Sequence, residues 1–107
     1  MKYSVRLVES AEFDILELHR FVEFNDGPGR ADNLLAQIEM TIATLDHLPE
    51  RGHFPPELAR LGIRDFREIH HQPYRIIYNV EKQEVVVQAV LDGRRDLRDL
   101  LEARLLR

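Results

Sequence analysis

Polar and apolar residues alternate over residues 2–8, with Tyr3, Val5 and Leu7 on one side and Lys2, Ser4 and Arg6 on the other. That period of two predicts a half-buried strand. At Ser10, whose hydroxyl suits a helix N-cap, the period changes. Ala11, Ile15, Leu18 and Val22 then fall on one helical stripe, with Phe21 beside it. Asn25-Asp26-Gly27-Pro28-Gly29 breaks this helix. Ala31, Leu34, Leu35, Ile38, Ile42 and Leu45 form a second stripe and predict a helix over residues 30–48, antiparallel to the first. Pro49 stops it. Residues 49–62 read as a long connection with one helical turn near residues 57–61, pinned to the core by Phe54 and Leu58.

The period of two returns over residues 63–71, with Phe66 and Glu68 on one side and Arg67 and Ile69 on the other. His71-Gln72-Pro73 turns the chain into Tyr74-Arg75-Ile76-Ile77-Tyr78, and Glu81-Lys82-Gln83 turns it again into a valine-rich run over residues 84–91. Three strands with short connections predict an antiparallel meander. Gly93 ends it, and a last helix from about Asp96 carries Leu97, Leu100, Leu101 and Leu105 on one stripe. The order β-α-α-β-β-β-α predicts an α+β fold in one domain over residues 1–107. The N-terminal strand joins the meander at an edge, and the helical hairpin covers one sheet face. Tyr74 and Tyr78 share a parity and should pack under the hairpin. The other face should stay partly bare, with Arg75 on it.

A guanidinium in the middle of a strand changes the picture from scaffold to function. Desolvating it costs several kcal/mol unless an anion pairs with it. The partner is either an outside anion or an internal acid such as Glu68. Net charge sharpens this reading. The chain carries −4 overall, against a general nucleic-acid coat, but the charge is uneven. Glu9, Glu12, Asp14, Glu17, Glu23 and Asp26 make the first helix acidic against Arg20 alone. Arg60, Arg64, Arg67 and Arg75, then Arg94, Arg95, Arg98, Arg104 and Arg107, make the C-terminal half locally basic.

Other chemistries find little support. The chain has no cysteine, which excludes disulfides and a thiolate zinc site. His19, His47 and His53 lie apart in sequence and read as surface or cap residues, so neither a metal nor another cofactor is expected. His70 and His71 have the pKa range for acid–base work, but adjacent strand residues face opposite ways, so one at most could serve. There is no nucleotide-binding glycine loop and no serine-triad motif. No apolar run approaches the roughly 20 residues of a spanning helix, and the N-terminus lacks an apolar signal segment. A cytoplasmic chain is expected, with no membrane contact.

The strand and helical hairpin, Leu48-Pro49-Glu50-Arg51-Gly52, Tyr74-Arg75-Ile76-Ile77-Tyr78, the valine-rich strand and Gly93-Arg94-Arg95-Asp96-Leu97 together resemble the RelE/ParE superfamily of type II toxins. The resemblance spans nearly the whole chain. It implies a toxin neutralised by a cognate ParD-like antitoxin, with a homodimer or a hetero-oligomer with that antitoxin both open. The RelE-like branch cleaves mRNA on the ribosome. Arg75 matches its strand arginine and Arg94 or Arg95 its later basic residue, but no tyrosine follows Tyr78 to supply the helical one. The ParE-like branch, which the long hairpin and terminal Arg-Asp-Leu helix favour, poisons DNA gyrase by binding and implies no catalytic residues. The candidate contacts to target or antitoxin are Arg67, Arg75, Arg94, Arg95, Leu97 and Leu101. Arg75→Ala and Arg95→Ala should then reduce toxicity and leave the fold intact.

Overall fold

The computed structural model describes residues 2–106; Met1 and Arg107 lie outside the described residues. Strand β1 (Ser4–Leu7) leads into helices α1 (Glu9–Asp26) and α2 (Pro28–Ala43). After two 3-10 turns come the short helix α3 (Pro56–Ala59), strands β2 (Arg67–His71), β3 (Tyr74–Glu81) and β4 (Glu84–Asp92), and helix α4 (Arg98–Leu105). The predicted order is the observed one. The sheet runs β1-β4-β3-β2, with β2, β3 and β4 antiparallel and β1 parallel to β4 at the edge.

Several boundaries differ from the expected ones for local reasons. The Val8 amide donates to the Val87 carbonyl (3.0 Å), so the chain stays in the sheet until the residue before Glu9. Val8 takes the N-cap position, and Ser10 lies inside the helix. Between α1 and α2 only Gly27 intervenes, at φ 93° and ψ 164°. A side chain is disfavoured in that backbone state, and glycine meets no such penalty. Its amide donates back to Glu23 (2.9 Å), and Pro28 occupies the first position of α2, where a missing N–H costs nothing. Strand β2 starts at Arg67 because the preceding residues fold back onto α3, with the Ile63 amide on the Leu58 carbonyl (3.0 Å).

Parity holds along β3. Tyr74, Ile76 and Tyr78 all enter the core under the helical hairpin, together with Ala11, Ile38 and Leu45. Along β4 the parity slips by one. Ile77 faces Ala89 while Tyr78 faces Val87, so Gln88 is an extra residue in a β-bulge. The slip lets Val87 and Val90 both face the hairpin core. The Val90 amide donates to Asp14 Oδ2 (3.0 Å) on α1.

The second sheet face is not bare, which corrects the expected one-sided sheet. Ile77, Ala89 and Leu91 pack there against Leu58 of α3 and against Leu97 and Leu101 of the C-terminal segment. Arg104 ties α4 down, donating to both Asp14 oxygens (3.0 and 3.1 Å) and to the Gln88 carbonyl (2.8 Å). Among the described residues no helix is long and apolar enough to cross a membrane.

Candidate functional site

Strand pleating sends Arg75 to the face opposite Tyr74 and Ile76, as parity predicts. Two acids meet it there. Arg75 donates Nε–H to Glu68 Oε1 (2.7 Å) and a second bond to Oε2 (2.9 Å). It also forks onto Glu57, at 2.6 and 2.8 Å. Glu68 comes from β2, two residues from His70, which pairs with Arg75 across the strands. Glu57 comes from the first turn of α3. The Arg75 side chain is 13% exposed and that of Glu68 only 1%. The bonds from Glu57, then Glu68, hold the Arg75 proton more tightly than usual, against the effect of burial. The Arg75 bonds likewise keep the Glu57 carboxyl below its ordinary range. Arg75 is thus bound internally and does not offer an open guanidinium on a bare face.

The glycines around this cluster are forced by close approach. A Cβ on Gly93 would sit 2.7 Å from the Pro73 carbonyl oxygen and 3.0 Å from Arg75 Cγ. A Cβ on Gly52 would collide with the Tyr78 hydroxyl and lie 2.8 Å from the Glu68 carbonyl oxygen. That hydroxyl is buried and donates to the Pro49 carbonyl (2.5 Å), which gives the Leu48-Pro49-Glu50-Arg51-Gly52 loop a structural purpose. Burial pushes the Tyr78 phenol up.

The remaining candidates scatter. Arg67 donates to the Gly52 carbonyl (2.9 Å) and stacks on Phe54, 4.6 Å from the ring centre. It clamps the same loop. Leu97 and Leu101 are buried and form core, not surface. Arg94 is exposed and forked onto Asp92 (3.0 and 2.8 Å), holding that carboxyl below its ordinary range. The Arg95 side chain is exposed, with no carboxylate within bridging distance among the described residues. Both arginines line a hollow of about 1220 Å³ bounded also by Phe13, Glu17 and Phe21 of α1 and by Leu100 and Arg104 of α4. They are the exposed cations of the candidate set, Arg94 already paired with Asp92 and Arg95 free of a carboxylate partner among the described residues.

Sequence spacing did not reveal His53. An isolated bridge sets it opposite Glu68, with the Glu68 amide donating to the His53 carbonyl (2.8 Å). His53 Nδ1 lies 3.8 Å from Glu68 Oε2, and His70 Nε2 lies 3.0 Å from Glu68 Oε1. The two rings meet edge to face, with centres 5.0 Å apart. No signal in the linear sequence links a loop histidine to a strand glutamate 15 residues on; strand parity sets Glu68 and His70 on one face but leaves His53 out.

Residues 5–97 match the family described as the ParE toxin of the type II toxin-antitoxin system parDE. The chain belongs to the ParE toxin family. Two solved structures share the fold of this ParE-family chain. A chain from the chromosomal ParDE system of P. aeruginosa superposes with a TM-score of 0.72 at 15% identity, covering 85% of this chain and 96% of that one. A chain from the RelBE2 toxin-antitoxin complex of Mycobacterium tuberculosis superposes with a TM-score of 0.61 at 21% identity, covering 86% and 99%. Comparison with curated proteins gives no match.

Proposed function

We propose that this ParE-family toxin acts in the cytoplasm by binding DNA gyrase and blocking replication, and that a cognate ParD-like antitoxin silences it. Family membership supports the toxin role, and the toxin-antitoxin complexes among its structural neighbours support an antitoxin partner. The observation that favours binding over RNA cleavage is the state of Arg75. Glu57 and Glu68 occupy four of its N–H bonds, so it is poorly placed to hold a scissile phosphate. The exposed cations Arg94 and Arg95 sit instead at the corner between β4 and α4, beside a large hollow lined by apolar and acidic residues. Such a surface suits a protein partner of mixed chemistry.

The test is a gyrase supercoiling assay with antitoxin-free toxin. Loss of supercoiling or accumulation of cleaved plasmid is the expected result. An unaffected enzyme at micromolar toxin would sink the proposal.

One arrangement favours a second reading, a ribosome-dependent endoribonuclease. His53, His70 and Glu68 face a single hollow with Arg75 and Arg94 on its wall. Two imidazoles so placed could act as base and acid on a ribose hydroxyl and a leaving oxygen. Mapping mRNA ends within minutes of induction separates the two: codon-phased cuts belong to this second reading alone.

A further inference from the structure

Two carboxylates around one guanidinium leave one negative charge uncompensated beside Arg75. Glu68 is the more buried of the two acids, and both its oxygens have a histidine as neighbour. Bonding between strands holds all three groups in place. The His53–Glu68 bridge fixes the loop histidine across from the strand acid, and the pleat places His70 on the same face two residues on. One ligand atom from each, two ring nitrogens and a carboxylate oxygen, lie within 4.8 Å of one another. They open into a hollow of about 330 Å³, so solvent can reach the space between the rings.

We propose that His53, Glu68 and His70 bind a zinc-class divalent cation, with the hollow leaving its remaining positions to water. Two imidazoles and one carboxylate suit zinc, whereas magnesium and calcium favour oxygen donors throughout. Small rotations of the two rings bring the nitrogens to coordination distance, because His53 is 61% exposed and His70 32% exposed at the side chain. Arg75 stands behind the acid as the partner that orients a ligating carboxylate, and Glu57 offsets the positive charge of that partner. The ion joins the connection before α3 to strand β2, two segments that the His53–Glu68 bridge and the Arg67 clamp already hold together. A bound ion would occupy the two imidazoles that the endoribonuclease reading uses as base and acid, so this site does not rest on that reading.

Titration of the chelator-treated full chain with Zn²⁺ by calorimetry, and with Co²⁺ by visible absorption, tests the site. One saturable equivalent is expected, with cobalt bands typical of mixed nitrogen and oxygen ligation. His53→Ala and His70→Ala should each weaken binding at least about tenfold and remove the bands. His47→Ala should change neither, since that ring sits against Asp46 elsewhere (2.6 Å). Circular dichroism checks that each variant is folded. If His70→Ala fails to fold, His53→Ala decides alone, because its ring is largely exposed. Equal affinity in all folded variants, or no saturable binding by the native chain, overturns the site.

Discussion

At the scale of single residues, Arg75 does structural work that its position only half disclosed. Parity along Tyr74-Arg75-Ile76 assigned the correct face, and Glu68 was in view as an internal partner. Glu57 was not, since it reaches Arg75 from a helical turn 18 residues away. Arg75→Ala leaves two acids, one of them fully buried, without their cation. It is therefore expected to cost roughly 3 kcal/mol of stability, read as a lowered urea midpoint. This revises the expectation that the substitution leaves the fold intact. A loss of toxicity in Arg75→Ala would report on folding before it reported on a target.

The acid side of the cluster sets a pH dependence. Folding depresses the Glu57 pKa from its ordinary 4.5 through the Arg75 bonds. The deprotonated form is thus favoured in the folded state. That contribution is complete well above pH 4.5 and is lost as the pH falls through the depressed value. Urea midpoints measured near neutrality and at about pH 3 should show a drop for the native chain. In Glu57→Gln the drop should be smaller, and an equal one would rule out Glu57 as a source of the acid sensitivity.

At the scale of elements, Gly27 decides the hairpin. Its φ of 93° and ψ of 164° disfavour an L side chain, yet nothing lies within 4 Å of an added Cβ. Gly27→Ala therefore isolates backbone conformation from crowding. It should destabilise the fold by about 1–3 kcal/mol in equilibrium unfolding. No change would mean that the turn relaxes freely. Hydrophobic period made the elements legible because each helix and strand buries one continuous stripe. What stayed hidden depended on non-local geometry. The Gln88 bulge reverses parity inside a valine-rich run, where the apolar residues on either side of Gln88 suit either face. The cover on the second face comes from Leu58, Leu97 and Leu101, which sequence pattern showed as apolar without showing against what they close. For the same reason Leu97 and Leu101 stand among the expected contacts although they are buried in the core.

At the scale of the whole molecule, both signs of charge line one groove. Helix α1 contributes Glu17 and Asp26 to the large hollow, and the β4–α4 corner contributes Arg94 and Arg95. Phe13 and Phe21 are exposed along α1 and line that hollow, so it is apolar as well as charged. A partner seated there meets both signs of charge together with apolar contact area, which bears on its orientation as well as its affinity. The corner arginines can be removed without disturbing either core, since both are exposed and neither is a partner of the Arg75 cluster. Arg94→Ala with Arg95→Ala is therefore expected to leave the unfolding midpoint unchanged while relieving growth arrest after induction without antitoxin. Binding to the target should also lose part of its sensitivity to salt, because two charges no longer contribute. A folded double variant that arrests growth as strongly as the native chain would mean that the corner is not the working surface.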